Sequence, residues 1–319
     1  THSRDVIGYP KPKYGYHEGS IDEYLHDAGE CLLSNCIKKE KEIGNLVGFV
    51  GGPPCPDFSV GGKNKGKDGE NGKLSKSYVD CILKFEPDWF VFENVKGLWR
   101  TKKHREFYDG LKLELFNAGY ILHDRLINSL EFSVPQDRDR IILFGYKSSI
   151  KKEHSDFPWE KYMTYPGKKA FDFDWPSTSP FGGNPKLPAG VPEELTIQYW
   201  FDKNDVQNHP NANSHFIPRA ALPKFLVIEE GDTSKKSYKR LHRYRYSPTA
   251  AYGNNEVHLH PFKARRLSAA EALAIQSLPK NFEFPQSMTL SAMFKTIGNG
   301  VPYLFSYGIA STIKYYLEL

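Results

Sequence analysis

The sequence predicts an α/β fold, a doubly wound and mostly parallel sheet, joined to a second, smaller, loop-rich domain. Three observations predict it. Apolar strand-like runs alternate with amphipathic helical stretches from about Leu46 to Tyr146, the pattern that parallel β–α–β units produce. From about Lys151 to Lys235 the texture changes: prolines and glycines crowd in ("FPWEKYMTYPGKKAFDFDWPSTSPFGGNPKLPAGVP") and periodicity fades. Helical patterning returns in "SAAEALAIQSLP" and in "GNGVPYLFSYGIASTIKYYLEL", which closes the chain.

The elements follow in order. "LVGFV" (46–50) is a short apolar run ended by glycines and reads as a buried strand. "SKSYVDCILKFE" (75–86) sets Tyr78, Cys81, Ile82 and Phe85 at helical spacing. "DWFVFENV" (88–95) is strand-like, and "HREFYDGLKLELFNAG" (104–119) is an amphipathic helix stopped by Gly119. "YILHDRLINS" and "RIILFGY" supply two more strands. Ser268 with Glu271 three residues on forms a capping box for a later helix. In a doubly wound sheet ligands gather at the carboxyl ends of strands. The loop around Cys55 and the "ENV" triplet at 93–95 both lie at such ends.

Composition narrows the class. The 319 residues are 39% hydrophobic and 25% charged, a globular balance. A net charge of +5 is compatible with a polyanionic partner. Cys31, Cys36, Cys55 and Cys81 form no C-x-x-C pair and lie near no histidine cluster of zinc spacing. They are expected to be reduced thiols of a cytosolic protein, with no metal site. No apolar run reaches the roughly 18 residues of a membrane span. The chain opens at Thr1 without an apolar signal core or an initiator Met, so a missing beginning is one expectation.

Five stretches could carry chemistry. In "GGPPCPDFSVGG" (51–62) prolines fix the backbone around Cys55. The loop that follows interleaves glycines with Lys63, Lys65 and Lys67, as a lid over an anionic substrate would. A buried structural cysteine beside a solvated loop is the plainer reading. Glu93 ends an apolar strand, where partial desolvation would raise its pKa and suit it to donate a proton. A surface carboxylate is the alternative. Arg138 and Arg140 of "PQDRDR" (135–140) would face one side if the next strand begins early. They could equally pair with Asp137 and Asp139. Arg240, Arg243 and Arg245 alternate with tyrosines in "KRLHRYRY", which suits nucleic acid backbone or a solvated basic face. "GNGVP" (298–302) could bring backbone close to a ligand.

In this order, "GGPPCPDFS", "FENVKG", "PQDRDRIILFG", "RRLSAAEALAIQSLP" and "IGNGVPYLFSYGIA" resemble the DNA cytosine-5 methyltransferases, the bacterial modification enzymes in particular. The likeness runs from about Gly15 to the C-terminus. It implies a Rossmann-like fold that uses S-adenosylmethionine. Residues 1–150 would be the first part of a catalytic domain, 151–261 a target-recognition domain, and 262–319 a return to the catalytic domain. The implied activity is methylation of C5 of a cytosine flipped out of a specific double-stranded DNA site, paired with a restriction system. Alternatives are a tRNA cytosine-5 methyltransferase of the same fold, or a DNA-binding subunit of a split enzyme.

The resemblance also implies roles. Cys55 would be the nucleophile, and Glu93 would contact the cytosine N3 and exocyclic amine. Arg138 and Arg140, with Gln136, would order the site and approach the cytosine O2. Ser20, Ile21, Pro53, Leu74, Asn299 and Val301 would lie by S-adenosylmethionine. Ser59 would touch a phosphate, with Lys63, Lys65, Arg240, Arg243 and Arg245 on DNA. A monomer on DNA, in the cytoplasm of a prokaryote and associated with its nucleoid, is expected.

Two departures stand out. Pro56 occupies the position where the family more often has Gln. The family's Phe-x-Gly-x-Gly loop and its ribose-binding acid are not found, and both would lie before Thr1. A trimmed enzyme, a subunit of a split enzyme, and a degenerate copy are the three explanations. The resemblance therefore leads to the expectation that this polypeptide alone binds S-adenosylmethionine poorly.

Overall fold

Near-continuous apolar runs set the central sheet. The computed structural model describes residues 13–15, 17–26, 32–53, 70–151, 155–218, 220–235, 237–250, 252 and 257–318. These divide into two compact units, one from Lys11–Ile127 with Asp139–Phe157, the other from Asn128–Arg138 with Pro158–Leu319. The described chain passes from the first unit to the second for the last time between Phe157 and Pro158.

The first unit carries strands β1 (Gly48–Gly51), β2 (Trp89–Val95), β3 (Tyr120–Asn128) and β4 (Asp139–Lys147), in the sheet order β1-β2-β4-β3. Its helices are α1 (Ile21–His26), α2 (Leu32–Glu42), α3 (Glu70–Phe85), α4 (Gly97–Arg100) and α5 (Lys102–Asn117). Strands β2 and β4 read as apolar runs because they are covered on both faces: β4 is buried at every position from Arg140 to Tyr146. Tyr78, Val79 and Ile82 of α3 share a core with Phe90 and Phe92 of β2, Ile141 and Leu143 of β4, and Tyr108, Leu111 and Leu115 of α5. The helical spacing of these residues turns one apolar stripe of each helix toward the sheet. Each such side chain contributes about 1.5–3 kcal/mol by leaving water. Helix α5 stops where Gly119 takes φ +85°, a left-handed conformation that favours glycine.

Pairing is mixed. Strand β1 runs parallel to β2, with Gly48 opposite Trp89 and Gly51 opposite Phe92. Strand β4 runs antiparallel to β2, with Trp89 opposite Tyr146 and Val95 opposite Arg140. This departs from the expected parallel pairing. The short 129–138 link between β3 and β4 holds only one 3₁₀ turn, Ser129–Phe132. That is too little for the crossover helix that normally joins parallel neighbours. Strand β1 is an edge of the sheet among the described residues.

In the second unit lie α6 (Ile197–Lys203), α7 (Leu222–Phe225), β5 (Lys239–Arg240), β6 (His258–Leu259), α8 (Ala269–Ile275), α9 (Leu290–Asn299) and α10 (Tyr303–Leu317). Helix α8 is buried along its whole length, and apart from Glu271 its sequence is apolar all round, as that of a central helix. It packs on Ile197, Trp200 and Phe201 of α6 and on Met293, Phe294 and Ile297 of α9. The expected capping box is present: Ser268 accepts from the Glu271 amide at 3.3 Å, and the Ser268 amide donates to Glu271 at 2.8 Å. Among the described residues no helix is long and apolar enough to cross a membrane.

Candidate active site and its supports

The carboxyl ends of β1 and β2 bring the first site residues together. Gly52 and Pro53 leave β1 on the way to Cys55, which lies outside the described residues together with Ser59, Lys63 and Lys65. Glu93 sits at the end of β2, and its Oε1 receives the Nε of Arg140 at 2.8 Å. Arg140 is steadied from its own strand, since Nη1 donates to the Asp139 carbonyl at 2.8 Å. Lys96 pairs with Asp139, fastening the start of β4 to the turn after β2. The carboxylate lies so close to Gly52 that a Cβ there would stand 2.7 Å from Glu93 Oε2. Asn94 Nδ2 reaches the Pro53 carbonyl at 3.5 Å. A carboxylate held by a guanidinium, beside the Gly52–Pro53 backbone that follows β1, can grip an amide-like ring edge through hydrogen bonds.

Ser20 and Ile21 stand at the start of α1. Ser20 is exposed, with its hydroxyl accepting from the Asp22 amide at 3.2 Å. Ile21 is half-buried and, with Tyr24, Leu33, Ile37, Val47, Phe49, Val50 and Tyr78, lines a groove of about 400 Å³ along β1. Glu40 and Tyr14 are its polar edge. Hydrogen bonds from Lys13, Tyr14 and Asn45 hold the Glu40 carboxyl down to about 2. Leu74 and Pro53 are half-buried.

The second unit receives the other expected residues. Arg138 is 1% exposed. Its guanidinium donates to the carbonyls of Ala250, Gly298 and Gly300 at 3.2, 2.8 and 3.0 Å. Gln136 is fully buried and accepts from the Ala250 amide at 3.3 Å. Asn299, the last residue of α9, is exposed, and Val301 is half-buried in the turn before α10.

Arg240 and Arg243 have tasks other than the expected phosphate contact. Arg240 is 0% exposed and donates to the carbonyls of Ile228 at 2.8 Å, Lys263 at 3.1 Å and Phe225, with Phe181 stacked 4.3 Å away. Burial lowers its pKa to about 10, with Glu230 opposing. Arg243 grips the fully buried Glu230 with two donors, each at 2.8 Å, and lies over Phe262. A guanidinium taken out of water must satisfy its donors inside the protein, and these do. Arg245 is half-buried over Tyr246, with Pro176 as a distant carbonyl partner at 3.4 Å.

One basic feature was missed by the sequence reading. Arg100, Lys102 and Lys103 are exposed in "WRTKKHR", just beyond the end of β2. Arg105 stacks on Trp99 at 3.6 Å, and the His104 ring meets the Gly97 carbonyl at 3.3 Å, which fixes the turn that presents them. The signal was a basic run directly after "ENVKG".

The fold is that of α/β methyltransferases. It matches a prophage-encoded protein of E. coli described as a DNA modification methyltransferase, with TM-score 0.59 and 21% identity over 94% of this chain and 86% of that one. It also matches the Dnmt2 methyltransferase of S. pombe, with TM-score 0.53 and 14% identity over 94% of this chain and 88% of that one. The family model "C-5 cytosine-specific DNA methylase" matches residues 34–315, and the chain belongs to that family. It is 61% identical to the type II methyltransferase M.NmeDI of Neisseria meningitidis serogroup C, over 99% of this chain and 75% of that protein. Identity to the type II methyltransferase M.DdeI of Desulfomicrobium norvegicum is 28%, over 86% and 74%. The activity is methylation of cytosine C5 in DNA. The tRNA alternative is not favoured.

Proposed function

We propose that the protein methylates a cytosine flipped out of a specific duplex site, using S-adenosylmethionine, and so protects DNA within a restriction-modification system. The observation that carries this reading is the Glu93–Arg140 pair at 2.8 Å beside the Gly52–Pro53 lead to Cys55. Cytosine C5 is a poor nucleophile. A Cys55 thiolate adding to C6 pushes the ring electrons toward C5, and Glu93 holds the proton that N3 gains. Arg140 aims Glu93 and offers donors toward O2. S-adenosylmethionine, when bound, supplies an electrophilic methyl group. Loss of the C5 proton and departure of the thiolate restore the ring. Cysteine suits both entry and exit because its thiolate is strongly nucleophilic and a workable leaving group.

Residues of this chain fit one side of the cofactor. The groove beside Ile21 offers apolar walls of Phe49 and Tyr78 with the Glu40 carboxylate at its edge, suited to a nucleoside. Ser20, Pro53, Leu74, Asn299 and Val301 are the further cofactor residues of this reading. Strand β1 has an edge without a described neighbour, and its Val50 is 73% exposed. A further segment or subunit carrying the Gly-rich loop is part of the same reading. Residues 151–261 read the target site, Ser59, Lys63 and Lys65 hold the strand around the base, and the protein works as a monomer in the bacterial cytoplasm, on the nucleoid.

The test is trapping on a duplex containing 5-fluorocytosine in the cognate site, using the full-length protein and S-adenosylmethionine. A covalent adduct that Cys55→Ser abolishes is expected. An adduct that survives Cys55→Ser, or none with wild type, refutes the reading. Adding the N-terminal segment in trans separates a subunit from a complete enzyme: activity regained identifies a subunit.

A further inference from the structure

We infer that Arg138 is a positioning residue, not one that touches cytosine: it clasps the C-terminal end of α9 and thereby fixes the turn that presents Asn299 and Val301. The inference rests on the proposed cofactor role of those two residues. The last turn of any helix leaves carbonyls without helical partners. In α9 the Gly298 carbonyl and the following Gly300 carbonyl both accept from Arg138 Nη2, at 2.8 and 3.0 Å. The other arm, Nη1, reaches the Ala250 carbonyl at 3.2 Å. A cation at the negative end of a helix dipole is electrostatically favoured, and burial strengthens it. One flat fork serves three carbonyls, which a lysine ammonium on a flexible stem cannot reproduce.

The surrounding chain is built for the same joint. Residue 250 is gripped at both backbone groups, its amide by Gln136 and its carbonyl by Arg138. Thr249 Oγ1 donates to the Asp137 carbonyl at 2.6 Å, and the Asp137 amide donates to the Ser247 carbonyl at 2.8 Å. Arg138 is itself fixed, because its carbonyl accepts from both the amide and the hydroxyl of Ser129. Glycine at 298 permits the contact: a Cβ there would stand 3.1 Å from the Tyr252 amide nitrogen and 3.4 Å from the Ala250 carbonyl oxygen. Gln276 holds the two ends of the same turn, donating to the Ile297 carbonyl at 2.8 Å and accepting from the Tyr303 amide at 3.0 Å. The backbone from 297 to 303 is thus pinned at Ile297, Gly298, Gly300 and Tyr303, while the Asn299 side chain remains exposed. Such a turn meets a ligand already ordered, so binding costs less conformational entropy.

The experiment compares Arg138→Met, Arg138→Lys and Asn299→Ala in the full-length enzyme. It measures S-adenosylmethionine affinity by calorimetry, KM and kcat for methyl transfer, and amide exchange across 297–303. Arg138→Met is expected to weaken cofactor binding tenfold or more, to raise KM for the cofactor by a larger factor than it lowers kcat, and to speed exchange at Gly298, Asn299 and Gly300. Arg138→Lys should recover only part of each, and it carries the test if the methionine variant does not fold. Unchanged exchange and cofactor affinity with a large fall in kcat would overturn the inference and return Arg138 to the substrate. If Asn299→Ala binds cofactor normally while Arg138→Met still speeds exchange, the clasp stands and the cofactor reading of the turn fails.

Discussion

Gly52→Ala isolates the aim of Glu93 from the stability of the fold. The added methyl would stand 2.7 Å from Glu93 Oε2 and 3.8 Å from its Cδ. The carboxylate must retreat by about 0.5 Å or more to restore an ordinary contact, because overlap of that size is strongly repulsive. It cannot retreat freely, since its other oxygen is held at 2.8 Å by Arg140. The end of a side chain can swing at small cost, so the loss of folding stability should stay near 1 kcal/mol, or about 2 °C in a chain of this length. The chemistry is less forgiving, as a misplacement approaching 1 Å can cost about 100-fold. The expected result is a fall in kcat of about 10- to 100-fold with little change in thermal midpoint. Single-turnover methyl transfer from labelled S-adenosylmethionine, read beside a thermal melt, measures both. Wild-type kcat in Gly52→Ala would refute the placement of Glu93 at the reacting base.

Three further expectations follow from packing and charge. In Gly308→Ala the new methyl would meet the Phe132 ring at 2.3 Å, an overpacking expected to cost about 1–3 kcal/mol against at most about 1 kcal/mol of helix propensity gained; urea unfolding checks it. If the exposed Arg100 and Lys102 rest on DNA phosphates, Arg100→Gln with Lys102→Gln lowers the slope of log K against log salt by about 2, equally for cognate and unrelated duplexes. A slope equal to wild type in binding titrations removes them from the interface. Burial pushes the rings of His258 and His260 down to about 3, so the unfolded chain takes up protons below about pH 6.5 that the folded chain refuses. Stability should therefore fall on acidification from about pH 6.5 toward 3, by about 1.4 kcal/mol per pH unit for each histidine. His258→Phe should remove one histidine's share of that slope, measured by denaturant unfolding between pH 7 and 5.

What the sequence made legible was local. The stripe of Tyr78, Cys81, Ile82 and Phe85 is buried as its spacing requires, and Gly119 ends α5 with a positive φ. The Ser268 box needed only four consecutive residues to be recognised. The antiparallel course of β4 was harder to read, because direction depends on what the ten residues before it can span and not on the strand's own apolar run. The two arginines of "PQDRDR" show the limit most clearly. Alternation along a strand would have turned both the same way, but β4 begins at Asp139, so the rule never applied to Arg138. Arg140, inside the strand, meets Glu93 at the end of the neighbouring strand. Arg138 meets carbonyls more than a hundred positions further along the chain. The same limit hid the work of Arg240 and Arg243: a basic, tyrosine-rich run has one composition whether it faces phosphate or an internal carbonyl. The partner decides which, and here the partners are the buried Glu230 and a set of main-chain oxygens brought in by the fold. An arginine's charge invites a nucleic-acid reading in a chain that binds DNA, yet its five donors serve equally well to tie loops that have little regular structure of their own. In a region as poor in helix and strand as 151–261, such ties take the place that ladder hydrogen bonds hold elsewhere. Arginines there are therefore expected inside, each tied to main-chain oxygens or to a buried carboxylate as Arg240 and Arg243 are.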